Sequence, residues 1–174
     1  MTKKTITFID LFAGIGGFHL AFHSLGAKCV FVSEWDKAAR ETYQKNFEKI
    51  QPELFAPEAI DKTFAGDITK VLPKSIPDFD IITGGFPCQP FSQAGLKKGF
   101  NETRGTLFFE VANIIKEKQP KAFFLENVRG LLTHDGGLTF ATIQRILTED
   151  LDYSFYYKVI KASDYGVPQH RPRL

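Results

Sequence analysis

The chain has 174 residues, 43% of them hydrophobic, and a formal net charge of +2, enough for one soluble domain with a real core and too little for a second. Its only cysteines, Cys29 and Cys88, exclude a disulfide framework and lack the paired Cys/His spacing of a zinc site, so no metal is expected and a reducing cytoplasm is the simplest compartment. The N-terminus runs straight into a brief apolar stretch, too short for a signal peptide or a membrane span, so no membrane role is expected.

Apolar runs alternate with helical patterns along the chain, the signature of a doubly wound, mostly parallel α/β sheet. In chain order the pattern predicts a strand at 6–11, a helix at 16–25 closed by Gly26, a strand at 28–34 and a helix at 36–47. A surface excursion over 48–64 precedes a short strand at 65–68. A strand at 79–84, a helix at 104–118, a strand at 121–126, a helix at 137–150 and a strand at 153–162 follow. The chain stops at Leu174, just after the polar turn Gly166 to Arg173, where such a sheet would continue. It therefore reads as a piece of a larger enzyme. Residues 97–174 carry 12 Lys+Arg against 9 Asp+Glu, a small basic excess that suits either a polyanion or an ordinary solvated face.

Two groups of residues carry chemistry. The first is Phe8-Ile9-Asp10-Leu11-Phe12-Ala13-Gly14-Ile15-Gly16-Gly17-Phe18, a strand entering a glycine turn and then a helix, which lets a ligand approach backbone N–H groups. His19 stands where the third glycine of a dinucleotide fingerprint would fall, so a pyrophosphate is poorly supported. Glu34, about 20 residues beyond the turn, can accept from both hydroxyls of a ribose. Trp35 offers a face to a purine, and Asp67 an acceptor for an adenine amino group. Together they describe an adenosine site, although Glu34 and Asp36 could equally cap a helix and Trp35 could be packing. His19 and His23, four apart with no third ligand, read as surface or interface residues.

The second group begins at Phe86-Pro87-Cys88-Gln89-Pro90-Phe91-Ser92, where a cysteine braced by two prolines follows the strand ending in Gly84-Gly85. A thiol so placed is a candidate nucleophile, whereas Cys29 within a strand reads as a buried small hydrophobe. Glu126 and Asn127 follow the apolar run Lys121 to Leu125, and burial there would raise the Glu126 pKa enough to make it a proton donor. Arg171 and Arg173 alternate after a proline turn and could grip one anionic or carbonyl-bearing ligand. Strand-end carboxylates and arginines also form purely structural ion pairs, which remains the alternative for Glu126 and Arg173.

These motifs resemble, in order and nearly end to end, the N-terminal catalytic part of bacterial restriction-modification DNA (cytosine-5) methyltransferases. Asp10 to Gly17 resembles the cofactor motif, Glu34-Trp35-Asp36 and Gly66-Asp67-Ile68 the adenosine contacts, and Gly85-Phe86-Pro87-Cys88-Gln89 the nucleophile motif. Glu126-Asn127-Val128 resembles the general-acid motif and Gln169-His170-Arg171-Pro172-Arg173 the Gln-x-Arg-x-Arg motif. The resemblance implies a Rossmann-like S-adenosylmethionine-dependent methyltransferase fold, incomplete at the C-terminus, with residues 1–174 as one truncated catalytic domain and no target-recognition domain. It implies S-adenosyl-L-methionine as cofactor, with S-adenosyl-L-homocysteine as product, held by Phe12, Gly14, Gly16, Gly17, Glu34, Trp35, Asp67, Ile68, Pro87 and Leu107. Cys88 would attack a cytosine flipped out of double-stranded DNA, with Glu126, Arg171 and Arg173 as the other catalytic groups. Gln89, Ser92, Lys97, Lys98, Arg104 and Asn127 would bind the substrate. A complementary C-terminal polypeptide is the implied partner, and the isolated chain is expected to be inactive. Methylation of tRNA, or binding without catalysis, are the alternatives that the motifs leave open.

Overall fold

The computed structural model describes residues 5–58, 62–88 and 107–174. The chain divides into two compact units, Met1–Gly85 with Asn113–Leu125, and Phe86–Ala112 with Glu126–Leu174.

The first unit holds a parallel sheet of β1 (Thr7–Leu11), β2 (Lys28–Ser33), β3 (Phe64–Ala65), β4 (Ile81–Gly84) and β5 (Ala122–Leu125) in the order β3-β2-β1-β4-β5. Both faces of β1 are buried, as expected of a parallel sheet covered on two sides. Phe8 and Asp10 point to one face and Ile9 and Leu11 to the other, and all four are inaccessible to solvent. Helix α1 (Gly17–Ser24) and helix α2 (Lys37–Phe47) join the strands. Helix α1 ends in a Schellman turn: Gly26, at φ 83°, donates to His23 O at 2.9 Å, and Ala27 donates to Phe22 O at 3.1 Å. Helix α2 starts on Asp36, whose Oδ1 accepts from Ala39 N at 2.7 Å. The core on this side comprises Phe8, Cys29, Val32, Tyr43, Phe47, Leu54, Phe55 and Phe64, and Cys29 is a buried small hydrophobe with no exposure.

His19 does not lie at the surface. It is fully buried, stacks on Phe47 with centroids 3.9 Å apart and planes 4° from parallel, and sets Nδ1 2.6 Å from the Tyr43 hydroxyl. The helical repeat turns position 19 inward beside Phe22, and the aromatic wall of α2 accepts a flat, uncharged ring there.

Helix α3 (Leu107–Lys118) buries Val111, Ala112, Ile114 and Ile115. In the second unit, helix α4 (Leu138–Arg145) passes into a π-helical turn at Ile146–Asp150, within the helix expected over 137–150. The strand expected at 153–162 is reduced to β6 (Ile160–Lys161), which pairs antiparallel with β7 (Pro172–Arg173). The remainder, though aromatic and β-branched, finds no ladder among the described residues, and side-chain propensity alone does not make a strand. No helix among the described residues is long and apolar enough to cross a membrane.

Two buried titratable groups give the first unit a distinctive pH response. Burial pushes the Asp10 carboxyl from 3.8 up to about 8; with the Thr83 hydroxyl 2.9 Å from Ile9 O and 3.1 Å from Asp10 Oδ1, a neutral Asp10 can donate to Thr83 while Thr83 donates to Ile9. Burial lowers the His19 imidazole from 6.5 to about 4. The folded state therefore holds the extra proton on Asp10, so this group makes stability fall as pH rises from 3.8 to about 8. The unfolded state holds the extra proton on His19, so that group makes stability rise with pH between about 4 and 6.5. The slopes oppose one another over the lower window, and Asp10 acts without His19 above it. Thermal unfolding should show stability declining between pH 6.5 and 8 in the wild type and little decline in Asp10→Asn; equal profiles would contradict this assignment.

Candidate active site

The glycine turn leaves β1 with Phe12 at φ 54°, a left-handed conformation uncommon for a residue with a side chain, followed by Gly14 at φ 54° and Gly16 at φ 98°. Ala13 N donates to Ser33 O at 3.2 Å, and Gly16 N donates to Ala13 O at 2.9 Å. Gly14 N donates to Glu34 Oε2 at 2.7 Å, while Glu34 Oε1 accepts from Asp36 N at 2.8 Å. Each oxygen of Glu34 thus takes one backbone donor, which fixes the carboxylate and leaves further lone pairs for hydroxyl donors. A Cβ on Gly14 or on Gly17 would meet open space, so a ligand can come close to the backbone there. Trp35 is 75% exposed and presents its ring to solvent instead of packing in the core.

The third strand delivers less than expected. Asp67 Oδ1 accepts from Thr69 N at 3.0 Å and from Thr69 Oγ1 at 2.8 Å, capping its own helical turn. The Ile68 side chain is buried at 4% exposure, so a surface contact with ligand falls to its backbone. Both outcomes follow from the chain turning at once into a 3-10 helix at Ile68–Lys70.

The second unit gathers the other group of residues around Asn127. This residue is only 4% exposed. Its Nδ2 donates to Phe86 O at 2.8 Å, its Oδ1 accepts from Val128 N at 2.8 Å, and its backbone pairs with Leu174 in both directions at 2.9 Å. Phe86 is itself anchored, with its ring 5.5 Å from that of Phe108. Asn127 was expected to touch substrate; burial and internal hydrogen bonds give it a different place, tying three chain segments together. Two residues beyond the tied Phe86 carbonyl is Cys88, partly exposed, after an exposed Pro87.

On the other side of Asn127, Val128 bridges antiparallel to Arg173. The Arg173 Nε then lies 2.7 Å from Glu126 Oε1, with the two side chains 23% and 30% exposed, and Arg173 Nη1 donates to Pro172 O at 2.8 Å. Glu126 is therefore not the isolated buried acid anticipated from its position, because a guanidinium meets one of its oxygens in a charge-assisted hydrogen bond. Arg171 is exposed, with its carbonyl accepting from Ala162 N at 3.2 Å. Leu107 opens α3, half-buried. Gln89, Ser92, Lys97, Lys98 and Arg104 lie outside the described residues. Among the described residues no group of three or more His, Cys, Asp or Glu is arranged to hold a metal ion.

The described residues thus form a parallel α/β sheet whose glycine turn is met by the strand-end carboxylate of Glu34, together with a Glu126–Arg173 ion pair beside the Asn127 junction. Residues 6–174 match the C-5 cytosine-specific DNA methylase family, and the chain belongs to that family. Type II methyltransferase M.SsoII of Shigella sonnei is 56% identical over 167 residues, 95% of this chain and 40% of that protein. Type II methyltransferase M.HhaI of Haemophilus parahaemolyticus is 51% identical over 169 residues, 97% of this chain and 47% of that protein. The crystal structure of the S. pombe Dnmt2 methyltransferase shares the fold, with a TM-score of 0.67 at 21% identity over 98% of this chain and 48% of that one. The chain spans less than half the length of these relatives.

Removing the Asn127 amide leaves the buried Phe86 carbonyl without its donor. Asn127→Ala should cost about 1–3 kcal/mol of stability in urea titrations, whereas Arg171→Ala, at an exposed position, should stay within about 0.5 kcal/mol of wild type. Equal stability of Asn127→Ala and wild type would remove Asn127 from its role as the tie.

Proposed function

We propose that this chain is the cofactor-binding and nucleophile-bearing part of a DNA cytosine-5 methyltransferase of the restriction-modification type, acting on cytosine in double-stranded DNA in a bacterial cytoplasm. The observation that carries the reading is the convergence on Asn127 of the Cys88, Glu126 and Arg173 segments in a member of this family. Because the chain spans under half of its relatives, activity on DNA is proposed to need a further polypeptide segment, joined or separate, that carries target recognition.

The residues on the cofactor turn fit S-adenosylmethionine: the Glu34 carboxylate for the ribose hydroxyls, the Trp35 face for adenine, and the open side of Gly14 for close approach of the ligand. That cofactor, when bound, supplies an electrophilic methyl group on a sulfonium. Pro87 and Leu107 are retained as proposed neighbours of the ligand on the strength of the motif resemblance. A stacked cytosine cannot be reached by a side chain, so the base must be extruded from the duplex.

Cytosine carbon 5 is a weak nucleophile, and the Cys88 sulfur overcomes this by bonding to carbon 6. The ring π-electrons of the 5,6 double bond would then be available at carbon 5 to take the methyl, the methyl–sulfonium bond breaking and its electron pair returning to sulfur so that S-adenosyl-L-homocysteine is the leaving group. Glu126 holds a proton at ring N3 as sulfur adds. Arg173 fixes Glu126 through Oε1, leaving Oε2 to face the base, which makes Arg173 a positioning residue, while Arg171 addresses the O2 side. Loss of the carbon-5 proton to a solvent water and departure of the Cys88 sulfur as thiolate restore the ring double bond and release the product.

A duplex containing 5-fluorocytosine halts this sequence, since fluorine cannot leave as a proton does. With cofactor and the complementary part of a relative supplied, wild-type chain should form a covalent adduct at Cys88. Cys88→Ser should form none and still bind S-adenosylhomocysteine, and an adduct with Cys88→Ser would refute the assignment. Glu34→Ala should weaken S-adenosylhomocysteine binding by about 1.5–3 kcal/mol, the loss of a charged hydrogen-bond partner; unchanged affinity by calorimetry would remove Glu34 from the site.

A further inference from the structure

The cofactor turn is braced by α2 as well as by its own strand and helix. Asn46 Nδ2 donates to Ile15 O at 2.9 Å, across 31 residues of sequence. The peptide so held joins Ile15 to Gly16, and its N–H donates to Ala13 O at 2.9 Å. The neighbouring Phe47 closes the other side: a Cβ on Gly16 would collide with the Phe47 ring, and that ring is itself fixed by the stacked His19. Gly16 sits at φ 98°, and a peptide next to such a glycine has other orientations within easy reach, because glycine tolerates both signs of φ. Packing against Phe47 restricts where Gly16 lies. The Asn46 amide, on the carbonyl side of this peptide, and Ala13 O, on its N–H side, together hold the direction in which the Ile15 carbonyl points.

Asn46 is exposed and does not contribute to the core. An exposed helical position has no need of asparagine, which is a poor helix former. We infer that Asn46 is a positioning residue for the S-adenosylmethionine site, acting through the Ile15 carbonyl to hold the Ile15–Gly16 peptide in the orientation that opens Gly14 and the first turn of α1 to the ligand. The inference rests on the cofactor reading given above. Without the amide, the turn populates other orientations, and apparent affinity falls in proportion to the fraction of chains that are competent to bind.

The test is calorimetric titration of S-adenosylhomocysteine into the 174-residue chain and into Asn46→Ala, Asn46→Asp and Asn46→Gln. Ala removes the donor, Asp keeps the shape but offers only acceptors, and Gln restores an amide. Binding should be about threefold to tenfold weaker in Ala and Asp and return toward wild type in Gln. Melting temperatures should remain within about 2 °C of wild type throughout. Wild-type affinity in Ala or Asp, weakening that Gln does not relieve, or a loss of affinity that merely follows a lowered melting temperature would overturn the inference. Failure of the wild-type chain itself to bind would instead overturn the cofactor reading, and the inference with it.

Discussion

The Asn127 side chain donates to the Phe86 carbonyl while its backbone pairs in both directions with Leu174, and the arrangement of the chemical groups in the second unit depends on that junction. Two residues after Phe86 comes the thiol of Cys88; immediately before Asn127 is Glu126; immediately before Leu174 is Arg173. A buried amide can satisfy two carbonyl or N–H partners at once, and leaving any of them unpaired away from water is costly. The Glu126–Arg173 contact at 2.7 Å follows from the same pairing, since the Val128–Arg173 bridge sets the two segments in register. Of the two readings of Glu126 and Arg173, the geometry shows the ion pair, made through one carboxylate oxygen of Glu126.

The first unit solves a different problem, that of keeping a glycine turn in a sparsely populated conformation. Phe12, Gly14 and Gly16 all have positive φ, and such a stretch persists when its surroundings determine it. Here they do so from several directions: Ser33 and Glu34 at the end of β2 accept from the turn's N–H groups, and α2 meets it with Asn46 and Phe47. Beneath lies a buried layer of Asp10, His19, Tyr43 and Thr83, in which Asp10 Oδ2 and His19 Nε2 make no hydrogen bond with the described residues. Burying a carboxyl and an imidazole together is tolerable because both are held neutral, one by retaining its proton and the other by losing it.

Much of this was legible in the sequence, and what was not has identifiable causes. Short continuous apolar runs, the Asp36 cap and the Gly26 stop are local features, so β1, α1, β2, α2 and β4 fall within one or two residues of expectation. The motif resemblance groups Cys88, Glu126, Arg171 and Arg173; the structure brings the Glu126 and Arg173 side chains into contact and leaves Arg171 exposed. Strand 153–162 fails because a strand is a relation between two segments, and aromatic content speaks for only one of them. His19 was misplaced because polarity suggested the surface, whereas its register on α1 and the Phe47 ring required burial. Asn127 and Asn46 act across 41 and 31 residues of chain, distances at which spacing carries no signal.

The claim that most directly supports this account is that Asn127 joins the Phe86–Cys88 segment to the Arg173–Leu174 segment. Backbone amide hydrogen exchange at Asn127 and Leu174 measures that junction. Both amides should be protected, and their exchange should accelerate together in Asn127→Ala, since removing the side-chain anchor to Phe86 loosens the whole junction. Exchange at the rate of an open chain in the wild type, or protection that Asn127→Ala leaves unchanged, would contradict the account.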